Sequence, residues 1–293
     1  MRVPRRALVW AGGLLCAAGS VFVAFRLHEY WRQIDLRHFG ARTWLVLTAL
    51  ALCYGAANVL LARAWWRLLA FLDTNAYRHA DLAWAVRTYG ATQLAKYVPG
   101  NIAQFAGRQV LALDAGLKGT AVAMSAVWEM GLLSTASLFF AVLASPLLFP
   151  MVSAPVSLLV FGGALALATL GTLRWWGVPV ACALLEHAVF LAVSGAVFTA
   201  ALALTAPNAV DGSLIPVTCG AYALAWLAGL LTPGAPAGAG VREAALVFLL
   251  SGRVAPAELL VAALFARIAM VAGDVAFFGA TSLPLFWKRA GSL

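Results

Sequence analysis

The chain has 293 residues, 63% of them hydrophobic and only 11% charged, with a net charge of +9 at pH 7 and a mean hydropathy of +0.91. A water-soluble domain of that composition could not cover its surface with polar groups, so the fold class expected is an all-α polytopic membrane protein, one integral membrane domain over residues 1–293. The surplus cations sit at the ends of apolar runs rather than along one stripe, which argues against nucleic acid and leaves anionic lipid headgroups as their counter-charge.

The first apolar run, "ALVWAGGLLCAAGSVFVAF" at 7–25, follows "MRVPRR". It is too long for a secretory signal, lacks a small-residue cleavage site and reads as a membrane helix. Further runs long enough to cross a hydrocarbon layer of about 30 Å lie at 43–61, 120–144, 156–173, 178–204, 213–231 and 258–286. Lys and Arg cluster at Arg2, Arg5 and Arg6, at Arg63, Arg67 and Arg78, at Lys118, at Arg174, and at Lys288 and Arg289. The positive-inside rule makes these cytoplasmic ends, with 26–42 external and both termini cytoplasmic. Seven runs give the wrong parity for that arrangement. About eight crossings are therefore expected, the extra one through 233–250.

Two segments fit a bilayer badly. "DLAWAVRTYGATQLAKYVPGNIAQFAGRQVLALDAGL" at 81–117 is too polar to span and too apolar for a loop, and "LLTPGAPAGAGVREAALVFLL" at 230–250 carries Pro and Gly in its middle. Irregular backbone at membrane depth survives only where protein buries it or where it lines a watery cavity, so both are predicted to be re-entrant or broken helices. The breaks fall at Pro99 and Gly100 and at Pro236, Gly238 and Gly240. Pro99-Gly100 is followed by seven residues and Arg108, and Pro233-Gly234 by seven residues and Arg242. Interrupted helices at matching places in two halves, here roughly 40–145 and 178–287, point to a transport site. A helix restarting beyond each break offers free N–H groups and a positive dipole end to an anion, and an arginine a turn or two later adds a planar cationic fork suited to phosphate. The plainer alternative is a pair of loop turns whose arginines snorkel to water.

"KYVPGNIAQFAGR" and "PAGAGVREAAL" resemble the two signature segments of the lysylphosphatidylglycerol synthetase membrane region, a flippase-like family of integral membrane proteins. "AVWEM" around Glu129 is similar to that family's acidic position in a middle helix, and "LFARIAMVAG" around Arg267 to its late arginine-bearing helix. The second segment has Ala237 where the family usually has glycine, while Gly238, Gly240, Arg242 and Glu243 match. The resemblance implies a membrane region that moves lipid headgroups between leaflets of a bacterial cell membrane, without the soluble aminoacyl-transferase domain to which such regions are sometimes fused. A synthase-type name would then reflect ancestry rather than activity.

Ionisable residues inside apolar runs cost about 2.5–3.5 kcal/mol at a helix centre on insertion scales and mark function. Glu129, Glu186, His187, Arg267 and Asp274 are of this kind. Arg267 and Asp274 are seven apart and share a helix face. Glu186-His187 reads either as a proton relay or as a satisfied structural pair. Trp65-Trp66 and Trp175-Trp176, beside Arg67 and Arg174, read as interfacial anchors. Soluble-enzyme motifs are absent from the sequence, and the scattered Cys16, Cys53, Cys182, Cys219, His28, His38, His79 and His187 suggest neither a metal nor a redox centre. The expected substrate-binding set is Lys96, Arg108, Glu129, Arg242, Glu243, Arg267 and Asp274, with no catalytic residue and no cofactor. The expected function is a lipid or lipid-linked headgroup translocase of the bacterial envelope. An intramembrane phospholipid or polyprenyl-phosphate transferase, and a scaffold for a neighbouring envelope-lipid enzyme, are the alternatives.

Overall fold

The computed structural model describes residues 40–76, 80–98, 103–232 and 236–290, with backbone alone for Pro236 and 283–290. The predicted crossing at 7–25 and the dipeptides Pro99-Gly100 and Pro233-Gly234 lie outside the described residues. All regular structure among the described residues is helical: α1 (Ala41–Leu72), α2 (Leu82–Gln93), a 3-10 turn (Leu94–Tyr97), α3 (Ala103–Asp114), α4 (Gly119–Ala141) continued by a 3-10 turn (Val142–Ala144) and a single helical turn (Ser145–Leu148), α5 (Ala154–Trp176), α6 (Val178–Thr205), α7 (Leu214–Leu231), a third 3-10 turn (Pro236–Gly238), α8 (Val241–Leu250) and α9 (Pro256–Ala290). Among them, six stretches are long and apolar enough to cross a membrane: α1, Gly119–Leu148 containing α4, α5, α6, α7 and Pro256–Ser282 of α9. The protein is an α-helical, multi-pass membrane protein, and these six coincide with the runs predicted after the first. Within 233–250 the helix is α8, whose ten residues rise only about 15 Å.

Local sequence explains the element ends. Asp81 caps α2, its carboxylate accepting the Trp84 N–H at 2.6 Å, and Asp211 accepts the N–H groups of Ser213 (2.9 Å) and Leu214 (2.8 Å) where α7 begins. Between α5 and α6 the chain reverses at Gly177, whose φ of +85° lies in the left-handed region that only glycine enters freely. α1 and α9 pack backbone to backbone. A Cβ on Gly55 would sit 2.8 Å from the Gly273 carbonyl oxygen, so glycine at both positions permits the approach, as small residues do between helices in lipid. α5 is peripheral: only Ser157 and Thr172 are buried, and Leu159, Leu167 and Leu170 face outward.

The side-chain contacts fix the direction of each helix. α6 runs antiparallel to α1, since Glu186 pairs with Arg67 while the later Phe190 packs on the earlier Tyr54. α9 starts where α6 finishes, the Thr205 hydroxyl donating to the Glu258 carbonyl at 3.4 Å. We call the end of the bundle where α1 finishes the lower end. α2 runs antiparallel to α1, Trp84 stacking on Trp65 and Gln93 bonding Asn58, so it rises from the lower end to mid-bundle. α3 returns to the lower end, where Gln109 donates to the Gly119 carbonyl and Lys118 pairs with Asp73 beyond α1. α2 and α3 therefore form a hairpin open to the lower end. α7 starts at the upper end, Gly220 lying against Ala144. It reaches mid-bundle, where Gly229 touches Arg242 at the start of α8. α8 then leads back to the upper-end start of α9. The two hairpins enter from opposite ends, and their tips meet in a buried cluster of Leu94, Tyr97, Ala237 and Val271.

Candidate functional site

Each hairpin tip is pinned to a long helix by an ion pair, whose carboxylate is fully buried at the first tip and partly exposed at the second. Asp274 of α9, with no solvent exposure, accepts from Tyr97 Oη (2.6 Å), Gln93 Nε2 (3.0 Å) and Asn58 Nδ2 (3.1 Å). It also pairs with Lys96 Nζ at 2.7 Å. The 3-10 turn thus bonds one carboxylate through two of its side chains, with every lone-pair direction of Asp274 in use. At the second tip Glu243 of α8 pairs with Arg267 Nη2 of α9 at 2.6 Å, and its other oxygen accepts the Gly240 N–H at 2.7 Å. That bond caps α8 as a glutamate at the third helical position does. The backbone here is tightly wound: Ala237, Gly238 and Gly240 take φ of +48°, +71° and +84°. For alanine this conformation is strained, and strain of this kind concentrates at ligand clamps and switch regions.

A third ion pair, buried on both sides, holds α3 to α4. Arg108 Nη1 lies 2.5 Å from Glu129 Oε2, and Tyr89 Oη donates to Glu129 Oε1 at 2.8 Å. The Arg108 guanidinium is also enclosed by the rings of Tyr89 (4.5 Å), Phe105 (4.8 Å) and Trp65 (5.4 Å), a desolvated setting in which cation–π attraction is strongest. Trp65 itself is only 1% exposed and donates to Ser125 Oγ at 2.9 Å. It is a core residue, not the interfacial anchor expected, because α2 packs over it. Trp175, 75% exposed, fits the anchor reading.

Between the hairpin tips lies a partly open cavity of about 100 Å³. Its charged lining residues are Lys96, Glu129, Arg242, Glu243 and Arg267, and its aromatic walls include Tyr54, Phe190, Phe198, Tyr222 and Trp226. Arg108 and Asp274 are not among the lining residues; they stand one layer back, each bonded to a residue that is. The structure therefore brings Lys96, Glu129, Arg242, Glu243, Arg267, Arg108 and Asp274 into one connected region. Arg267 and Asp274 share α9 as their spacing predicted, yet each serves a different tip.

Arg242 differs from the other cations. No carboxylate among the described residues lies within ion-pair distance of it, its Nε is buried without a hydrogen-bond partner, and its guanidinium lies 5.4 Å from the Trp226 ring centroid. Glu186 stands apart from the cavity, pairing with Arg63 and Arg67 at 3.2 Å, and His187 is fully buried. No group of three His, Cys, Asp or Glu side chains among the described residues is placed to hold a metal ion.

Asn58, Gln93, Tyr97, Tyr89 and Trp226 belong to this site although the sequence reading passed over them. Asn58 carried a usable signal, an amide in the middle of a long apolar run, where an unpaired polar group is costly. Neither a family model nor a curated protein nor a solved structure matches the chain.

Proposed function

We propose that this protein moves lipid headgroups between the two leaflets of a cell membrane. The observation that carries the reading is the charged and aromatic cavity held mid-bundle between two helical hairpins that enter from opposite ends. Broken helices in two halves, meeting at a midplane site, are how repeat-built transporters place a polar binding site inside hydrocarbon. The two halves correspond in order: α1, the α2–α3 hairpin and α4 in the first, then α6, the α7–α8 hairpin and α9 in the second. The motifs that resemble the flippase-like family supply residues of both tips: Tyr97 of "KYVPGNIAQFAGR" and Ala237 of "PAGAGVREAAL" lie in the cluster where the hairpins meet.

With the lower end cytoplasmic, Arg63, Arg67, Lys118 and Arg174 all fall on the cytoplasmic side, as the positive-inside rule asks. The parity problem also disappears. α7 and α8 together enter and leave by the upper end and contribute no net crossing. The predicted crossing at 7–25 and the helices α1, α4, α5, α6 and α9 then carry the chain across an even number of times, with both termini inside.

Mechanistically, a headgroup entering from either leaflet finds the tips closed against one another at Leu94, Tyr97, Ala237 and Val271. Parting the tips on one side at a time gives alternating access. The Lys96–Asp274 and Arg267–Glu243 pairs tie both tips to α9, so that helix is placed to couple their movement. The test is a proteoliposome assay in which fluorescent phospholipids are bleached from outside by a membrane-impermeant reductant. Active protein exposes inner-leaflet label to bleaching, and the paired substitution Lys96→Gln with Arg242→Gln stops it. If wild-type protein leaves the inner-leaflet label of anionic and zwitterionic lipids and of a polyprenyl-phosphate sugar protected, the translocase reading fails.

A further inference from the structure

We propose that Arg242 is the seat for the single anionic group of the passenger, and that the cavity selects an amphiphile carrying one negative phosphodiester charge and no positive charge. The inference rests on the translocase reading for the passenger being a lipid, but its core is a matter of charge. Lys96 is neutralised by Asp274, Arg267 by Glu243, and Glu129 by Arg108, at 2.7, 2.6 and 2.5 Å. Arg242 alone among the charged lining residues faces the cavity without a carboxylate partner among the described residues, which leaves the site one positive charge in excess. A lone cation in a low-dielectric cavity is costly, and one bound anion removes that cost. The guanidinium fork matches two oxygens of a phosphodiester, and Nε, now without a partner, is one of the donors such an anion would take.

The same pairs exclude a positive group. Glu129 already accepts from Tyr89 and Arg108, and Glu243 from Arg267 and the Gly240 N–H. An ammonium brought in on a zwitterionic headgroup would find both carboxylates engaged and would have to break an existing ion pair to be satisfied. The apolar walls at Phe190, Phe198, Leu230 and Met270 favour a ligand whose phosphate is attached to hydrocarbon over the free ion.

The experiment measures binding to the purified full-length protein in detergent by titration calorimetry, which needs no transport. The probes are dihexanoyl phosphatidylmethanol, with one negative charge, dihexanoyl phosphatidylcholine, which adds one positive charge, and dimethyl phosphate, the phosphodiester without chains. Wild-type protein is expected to bind phosphatidylmethanol about tenfold or more tightly than phosphatidylcholine, a charge-assisted contact of ordinary strength. Arg242→Gln abolishes that preference, Arg242→Lys keeps it with weaker affinity, and Arg253→Gln, at an exposed residue between α8 and α9, changes nothing. Thermal melting of each variant establishes that it is folded, and Arg242→Lys carries the test should Arg242→Gln not fold. Equal binding of the two lipids by wild-type protein, no binding of either, or an unchanged preference in Arg242→Gln overturns the proposal. If dimethyl phosphate binds as tightly as the lipid, the anion seat stands and the lipid translocase reading falls.

Discussion

At the scale of single residues, the balance of the site depends on buried charges that have partners. Removing one member of a buried pair leaves the other desolvated and alone, a loss of about 3–5 kcal/mol, whereas replacing both by apolar side chains of similar volume is often close to neutral. Glu129→Gln is therefore expected to destabilise the protein by about that amount, because Arg108 is 2% exposed and has no water to turn to. The double variant Arg108→Met with Glu129→Leu is expected to be more stable than Glu129→Gln. Thermal unfolding of the purified variants in detergent tests both, and a double variant that melts below the single one would show that the Arg108–Glu129 pair does more than cancel its own charges. Arg108 and Arg242 looked equivalent in sequence, each following a Pro-Gly dipeptide at the same distance. Their environments separate them: Arg108 is consumed by Glu129 and three aromatic rings, and Arg242 is left facing the cavity. No local pattern carries that difference, because Glu129 is brought in by a different helix.

At the scale of elements, hydropathy made the long helices legible because each must bury its backbone in hydrocarbon by itself, and twenty apolar residues in a row leave few alternatives. The hairpins were legible only as misfits, segments too polar or too broken to cross. Their pairing was not, since it depends on contacts such as Asn58 with Gln93 and Gly229 with Arg242 between positions far apart in sequence or across a break. α7 illustrates the limit. Its eighteen residues pass every criterion for a crossing, yet its continuation through α8 returns the chain to the end it came from. That reading is tested in a background lacking the native cysteines. Gly212→Cys before α7 and Gly252→Cys after α8, both in open positions, are expected to react with an impermeant maleimide from the same side of the membrane. Trp175→Cys at the end of α5 is expected to react only from the other. Labelling of Gly212→Cys and Gly252→Cys from opposite sides would make α7–α8 a true crossing and restore the parity conflict.

At the scale of the whole molecule, two hairpins enter the long-helix bundle from opposite ends, and α9 is bonded to both tips through Asp274 and Arg267. An ion-pair network spanning two tips and one helix has few intermediate arrangements, since each pair is either made or broken, and in the translocase proposed above that bistability would turn small local shifts into access to one side or the other. The most direct test is to tie the tips together. Leu94→Cys and Ala237→Cys, placed in the buried tip cluster of a protein otherwise free of cysteine, are cross-linked by mild oxidation in proteoliposomes, and lipid translocation is followed by bleaching of the fluorescent label. The account predicts that translocation stops on oxidation and returns on reduction, while either single variant is indifferent to both treatments. Undiminished translocation with the tips covalently joined would contradict it, for the headgroup would then be crossing by some route other than the one between the hairpins.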